Sequence, residues 1–553
     1  MGLLIDANEL DEKATLAADV CVVGAGPAGL AIASRLARAG IPTIVLEQAS
    51  RSGIGGNALR WLIELGRKSK NGVRLAPLPP ETFSPRPGLD LPGWPIEAAD
   101  LAPYYQQAQQ VFGLSPFGFS ADEWEEPGAR RLPLPEERLA TSMYQFAEGR
   151  TVHEDMVRGL VDAENVRIVH SAVVREITTT EGGTRAQGVM VTTANGRSLD
   201  IRARTIVLAA GGLDNAHLLL LSQRGRQSAI GDEHGVLGRY YMEHPLLDGG
   251  DFVPRSTGLL DAMALYDLRP VHDLSVMGHL RLAPEAVRDR DMLQLSALFF
   301  PREVDHRERY RLSPRQEQAL RATFEFRSYL RSGGLANLTR VPRMVAGIDA
   351  LFGAAWRDKC GRFPRLGRGG WSMRPRPSST FGAFQVVHQV EQPPRWSNRV
   401  LLGQETDGWG RPVLERAWRW HAEDMARTLA AQDLVATELA AAGLGDYHIA
   451  RPGNEPLVLT LNCAHPMGTT RMHADPKRGV VDAKCRVHEV DNLFVAGSST
   501  FTTGSYVNPT LTVMALALRI ADTIKARHRA PIGESRTTPN QREAARPRDL
   551  ALT

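Results

Sequence analysis

The chain has 553 residues, 43% hydrophobic and 23% charged, with a formal net charge of +4. That length exceeds what a single hydrophobic core usually serves, so two or more cores are expected. The near-balanced charge gives no case for nucleic acid as a partner. No apolar run is long enough to span a bilayer, so no membrane partner is expected either.

The opening "MGLLIDANEL" lacks the basic and long apolar stretches of a secretory signal, and four cysteines (Cys21, Cys360, Cys463, Cys485) are too few for a disulfide framework. A cytoplasmic setting is the expectation. "ADVCVVGAGPAGLAIASRLARAGIPTIVLEQAS" then reads as strand, tight turn, helix and strand. From Gly55 to about Asp100 the chain is Gly- and Pro-rich; Asp100 is placed to cap a helix carrying Tyr104, Tyr105 and Val111. Residues 166–210 alternate as strands, "VRIVHSAVVREI", "AQGVMVTT" and "ARTIVLAAGG". The stretch 246–450 mixes helices with antiparallel strands such as "FQVVHQVEQ". Within it, 361–380 is a Gly-, Arg- and Pro-rich loop, either solvated surface or a lid over a pocket. A short strand "NLFVAG" and the helix "PTLTVMALALRIADTIKARH" follow, and the polar tail from 528 is expected to be disordered.

The first strand–turn–helix carries a G-x-G-x-x-G spacing with a physical purpose. Gly24 permits the turn, Gly26 lets backbone approach a pyrophosphate, and Gly29 permits close helix–strand packing. The phosphates then meet the free N–H groups of a helix N-terminus. Glu47, eighteen residues past Gly29 at a strand end, is placed to bind ribose hydroxyls. An NAD domain would continue as contiguous alternating units; here the third strand waits until about 166, and the turns "VLAAGG" and "LFVAGSS" lie far downstream. Such interleaving suits FAD. Further candidate cofactor contacts are Gly55, Gly56, Asn57, Val174, Ala210, Gly211, Gly497, Ser498, Asn508 and Thr510.

"HPMGTTRM…GVVDAKCRVHEVDNLFVAGSSTFTTGSYVNPTLTVMALALRIAD" resembles the C-terminal signature of the glucose–methanol–choline (GMC) oxidoreductases, and "GLDNAHLLLLS" and "GRYYMEHP" resemble their inner motifs. "GIGGNALRWLIELG", "GVRLAPL" and "GWPIEAADLAPYY" are similar to the pyranose 2-oxidase branch, nearest the bacterial glycoside 3-oxidases and C-glycoside oxidases. The likeness covers 15–527. It implies that His465 takes a hydroxyl proton while the carbon's hydride passes to flavin N5, and that Asn508 hydrogen-bonds the same substrate oxygen. Residue chemistry agrees: an alcohol is a poor hydride donor until its proton leaves, and imidazole suits a base near neutrality. Asn508-Pro509-Thr510 also reads as an ordinary helix cap followed by a first-turn proline.

Two other readings of His465 were weighed. Cys463, His465, His473, Cys485 and His488 offer metal-ligand chemistry, but their spacings lack the tight pairs of a zinc site, so no metal is expected. A hydrogen-bonded core histidine is the blander alternative. The sequence departs from the branch at two places. Arg60 stands where pyranose 2-oxidases carry the histidine bonded covalently to flavin, which implies non-covalent FAD and a place for Arg60 near flavin or substrate, or in a surface ion pair. His473 replaces a glycine common in relatives and is a candidate pocket residue, whereas His244 in "MEHP" reads as structural.

The expected architecture is α/β: a discontinuous Rossmann-like FAD domain (1–75, 150–245, 455–527), a connecting segment (76–149), and an α+β substrate domain with an antiparallel sheet (246–454), with a disordered tail at 528–553. The expected activity is oxidation of a sugar or glycoside secondary alcohol, at C3 or C2, with electrons passed to O2, giving hydrogen peroxide, or to a quinone-type acceptor. The rivals are oxidation of a non-sugar alcohol, a lyase with a scaffold flavin, and a dehydrogenase subunit serving a separate electron-transfer partner. The oligomeric state is left open.

Overall fold

A computed structural model of the chain describes residues 3–529, other than 62, 66–68, 90, 115–117, 223–228, 304–341, 343–368 and 462. Its strands form two large sheets, and the elements around them position one site.

The first sheet runs in the order Leu3–Asp6, Val166–His170, Thr43–Leu46, Thr15–Val23, Ser198–Leu208, Ala186–Thr193, Ala172–Thr179. Its centre is parallel, with Val20 beside Thr43 on one flank and Thr205 on the other. Central parallel strands are covered on both faces and therefore read as unbroken apolar runs; Val20, Cys21, Val22, Ile44 and Val45 are all fully buried. The long strand Ser198–Leu208 changes partner along its length: its first half pairs antiparallel with Ala186–Thr193, its last three residues parallel with Leu493–Val495. That switch brings the turns after residues 208 and 495 beside the glycine turn after Val23. The helices Pro27–Ala37 and Thr510–Arg529 pack on each other over this sheet, tied by a two-bond ion pair between Arg35 and Asp522.

The second sheet is antiparallel through its core: Gly445–Ile449, Leu246–Pro254, Phe381–Val390, Leu295–Glu303, Leu274–Leu282, Leu139–Glu148, Ser69–Leu75, Ile63–Leu65. One face closes over Phe252, Phe299, Phe384, Tyr266 and Trp371, backed by the helix Ala422–Ala441. The expected division needs correction here. Ile63–Leu65 and Ser69–Leu75, assigned to the nucleotide segment, and Leu139–Glu148, assigned to the connector, hydrogen-bond into this sheet. Their pairing partners lie far along the chain, where local pattern carries no information about them.

Three local expectations also change. "VRIVHSAVVREI" is two strands broken at Ser171, whose φ is +57°, and the halves sit at opposite sides of the first sheet. The helix Ala98–Val111 is capped by Glu97, with Asp100 as the reciprocal third-position member: the Glu97 N–H donates to Asp100 Oδ2 at 2.9 Å. The last helix continues to Arg529, and the remainder of the expected tail lies outside the described residues. The 361–380 loop lies outside them as far as 368. Its end is anchored by Asp267, which accepts from the N–H groups of Gly370 (2.9 Å) and Ser372 (2.8 Å). No helix of the described residues is long and apolar enough to cross a membrane.

Candidate active site

The glycine turn forms a cradle. Gly24 has φ +110°, and a Cβ there would lie 2.5 Å from the Ala209 carbonyl oxygen; one on Gly29 would lie 1.9 Å from the Gly24 oxygen. Both positions are closed by protein. At Gly26 and at Gly211 (φ +105°) a Cβ would meet nothing within 4 Å, so these glycines border open space. Glu47 stands beside it, its two oxygens accepting from the N–H groups of Ala25 (3.1 Å) and Ala49 (2.9 Å). A carboxylate has about four lone-pair sites, so capacity remains for ribose hydroxyls. The turn at Gly55 (φ +113°) bonds back to the Ala25 carbonyl at 2.8 Å, and Gly56 packs on Gly26. Asn57 and Arg60 are exposed on the same turn. The far turns are fastened to each other: Asn215 Oδ1 accepts from the Ala210 N–H (2.8 Å), while its Nδ2 donates to the Ala496 carbonyl (2.9 Å). Gly497 (φ +131°) follows directly, Ser498 Oγ donates to the Pro466 carbonyl at 2.7 Å, and Thr510 opens the last helix. Open glycines at a helix N-terminus, with an acid at the neighbouring strand end, fit FAD. Val174 lies apart in one respect: its carbonyl is taken by Arg411 Nη1 at 3.1 Å.

The second half of the site is built on the turn at His465. Ala464, just before it, holds φ +59°, a sparsely populated conformation for a residue with a Cβ, often retained at functional turns. The turn is held by Glu243, whose Oε2 accepts the His465 backbone N–H at 3.0 Å and whose Oε1 accepts the Tyr241 hydroxyl at 2.7 Å. His465 lies deep in the protein yet is only half-buried by surface area, so its ring borders an internal space. His244 crosses it nearly edge-on, ring centres 5.2 Å apart, with their Nδ1 atoms 3.1 Å apart.

Proton positions follow from the bonds around this pair. Arg74 Nη2 donates to Gln389 Oε1, which fixes the amide so that Gln389 Nε2 faces the Tyr506 carbonyl (2.7 Å), Asn508 Oδ1 (3.2 Å) and His244 Nδ1 (3.3 Å). The two hydrogens of this amide face three acceptors; in the arrangement where His244 Nδ1 accepts, the proton between the two rings sits on His465 Nδ1. His465 Nε2 is left with a lone pair and no hydrogen bond among the described residues. Burial, then the electrostatic influence of His244 and of the Arg74 guanidinium, push the His465 imidazole well below the usual histidine range. Burial alone dominates at His244, brought to about 4, and raises the Glu243 carboxyl to about 7. Both imidazoles are therefore neutral at neutral pH, and Nε2 is a proton acceptor.

The structure thus brings His465 and Asn508 into one hydrogen-bonded group. The Asn508 side chain does not cap the helix: its Oδ1 accepts from Arg74 Nη2 and Gln389 Nε2, both at 3.2 Å. His473 is held in its own turn, its Nδ1 accepting from the Asp475 N–H at 2.9 Å and its carbonyl from His488 Nε2 at 3.0 Å. His244, read from sequence as structural, bonds His465 directly. Glu243, Gln389 and Arg74 drew no notice there. Gln385 and Gln389, four residues apart on one face of a strand whose only other polar side chain is His388, are the available signal for one of them.

A fold with a dinucleotide cradle opposite a neutral histidine turn defines a flavoenzyme. Comparison with known proteins agrees. The GMC oxidoreductase model matches residues 394–517, and the FAD dependent oxidoreductase model residues 19–260. The 2-methyl-1,2-propanediol dehydrogenase of Mycolicibacterium austroafricanum is 23% identical over 82% of this chain and 78% of its own. The C-glycoside 3-oxidase of Microbacterium trichothecenolyticum is 35% identical, over 24% of this chain and 25% of its own. Pyridoxine 4-oxidase from Mesorbium loti shares the fold, with a TM-score of 0.52 at 16% identity, covering 93% of this chain and 100% of that one. The chain thus carries an FAD dependent oxidoreductase region followed by a GMC oxidoreductase region, and it is an FAD-dependent oxidoreductase.

Proposed function

We propose that this enzyme oxidises a secondary alcohol of a sugar or glycoside, at C3 or C2, to the ketone, with His465 as base and Asn508 as the partner of the same oxygen. The observation that carries the reading is the His465 ring, whose Nε2 has no hydrogen bond among the described residues and which is linked to Asn508 through His244 and Gln389. The Gly24–Gly29 turn and Glu47 would hold FAD without a covalent bond, and FAD would supply the hydride acceptor and the route for electrons to O2 or a quinone-type acceptor. His465 Nε2 takes the hydroxyl proton, and the His465 Nδ1–H bond to His244 steadies the imidazolium that results. Asn508, its Oδ1 engaged by Arg74 and Gln389, is left to donate its amide N–H groups to the substrate oxygen. Glu243 fixes the turn that aims the base.

The sugar class is supported by the C-glycoside 3-oxidase likeness, 35% identical though confined to a quarter of the chain. A second reading, a small non-sugar diol, is favoured by the dehydrogenase likeness, weaker but spread over most of it. An anaerobic titration separates them: methyl glycosides and C-glycosides are expected to bleach the flavin, and 2-methyl-1,2-propanediol to leave it yellow. The reverse result overturns the sugar assignment. His465→Ala is expected to slow flavin reduction by roughly 10²–10⁴-fold with FAD retained; a near-normal rate would mean another base.

A further inference from the structure

Arg74 is the one cation in the His465 cluster, and its valence is incompletely used. It reaches the site from the strand Ser69–Leu75. Nη2 donates to Gln389 Oε1 and, at 3.2 Å, to Asn508 Oδ1, and the guanidinium lies 4.6 Å from the centre of the Tyr144 ring. Nε is buried without a partner. Nη1 has no hydrogen bond among the described residues and is not buried, so it borders accessible space.

Nor does Arg74 form an ion pair among the described residues. Arg281, which shares His279 and Tyr506 as neighbours, is paired with Glu81 at 2.5 Å, and Arg86 is paired with Glu391. The other titratable groups facing Arg74 offer no negative charge. His244, His279 and His465 are held neutral, and burial raises the Tyr144 and Tyr506 hydroxyls and the Cys463 thiol. A guanidinium drawn out of water without a counter-ion is unfavourable unless something negative completes it. Its open end, Nη1, is planar and carries two N–H groups, donors that suit the oxygen of a carboxylate.

We infer that Arg74 and Asn508 form an anion site beside His465 that binds a small monocarboxylate where the substrate's oxygen sits. The inference rests on His465 and Asn508 marking the substrate oxygen. When His465 takes the hydroxyl proton, the electron pair of the broken O–H bond stays on that oxygen, and the fixed charge of Arg74 faces it. A carboxylate carries the same charge permanently and is held without turnover.

The test uses the FAD-loaded enzyme and sodium acetate, with neutral acetamide as the isosteric control, read from the visible flavin spectrum. Acetate is expected to perturb the spectrum saturably and to raise the KM for the alcohol while leaving kcat unchanged; acetamide is expected to do neither. Arg74→Gln is expected to weaken acetate binding at least about tenfold. Acetate without effect on the wild-type enzyme, or bound as tightly by Arg74→Gln, overturns the inference. Should Arg74→Gln lose its flavin, Arg74→Lys carries the test: an ammonium cannot hold Gln389 and Asn508 and also present the fixed planar Nη1 donors, so affinity is expected to fall about threefold or more. Unchanged affinity there overturns it too. If the true substrate is not a sugar, acetate binding is untouched, so the substrate class and the anion site fail separately.

Discussion

Glu243→Gln is the sharpest perturbation of the site that leaves its reacting groups in place. The carboxylate accepts two hydrogen bonds, from the Tyr241 hydroxyl at 2.7 Å and the His465 N–H at 3.0 Å, and its own N–H donates to Gln392 Oε1 at 2.8 Å. An amide can keep its oxygen toward His465 only by turning its NH2 toward Tyr241, whose hydroxyl must then accept rather than donate. One charge-assisted bond is lost, about 1.5–3 kcal/mol. If half-settled aim of the base passes that cost to the transition state, flavin reduction slows roughly 10- to 100-fold, at about 1.4 kcal/mol per decade. The pH profile tests the same bonds. Burial places Glu243 near 7, opposed by the Tyr241 and His465 bonds and by Arg416. Protonation turns one accepting oxygen into a donor, so the wild-type rate is expected to fall below about pH 7, whereas Glu243→Gln is slow and flat. His465 cannot supply that limb, since its own proton affinity lies well below the usual range. Anaerobic stopped-flow reduction between pH 5.5 and 9 reads both effects; a wild-type rate and profile in Glu243→Gln would refute the positioning role.

Two glycine variants separate folding from cofactor binding. Gly29→Ala puts a Cβ 1.9 Å from the Gly24 oxygen and should fail to give folded protein, whereas Gly26→Ala meets nothing within 4 Å and should fold while holding FAD weakly. The check is Tm together with the FAD-to-protein ratio. His388 is fully buried between the Ser296 carbonyl (3.1 Å) and the Tyr447 hydroxyl (2.7 Å), and burial brings it to about 4. The unfolded chain protonates near 6.5 while the folded one does not, so His388 loses stability for the protein as pH falls from 6.5 to 4, by about 3 kcal/mol. The stability difference between wild type and His388→Gln should therefore shift by that amount toward the variant between pH 7 and 4 in urea unfolding. A pH-independent difference would mean His388 is not neutral.

What the sequence disclosed and what it withheld divide along a physical line. The nucleotide cradle was legible because its parts are local: a strand, three glycines and a helix lie consecutively between Thr15 and Ala37, the glycines required by backbone sterics. Even its distant turns announced themselves as glycines after apolar strands. The catalytic cluster is different. Arg74 lies on the antiparallel sheet, Glu243 and His244 on a loop, Gln389 on another strand, and Asn508 before the last helix, up to 434 positions apart. Nothing in the local pattern of a strand such as Phe381–Val390 says that Gln389 faces a histidine from residue 244. It shows only that a polar side chain sits where alternation would allow an apolar one. The misassigned strand carrying Arg74 has the same cause, since pairing across residues 72 and 148 is invisible to a window of a dozen residues. Charge adds a final point. A half-buried arginine with no ion pair among the described residues and three neutral histidines are each unremarkable in a sequence; only their convergence gives the site a positive charge to face the oxygen that becomes negative when His465 takes its proton.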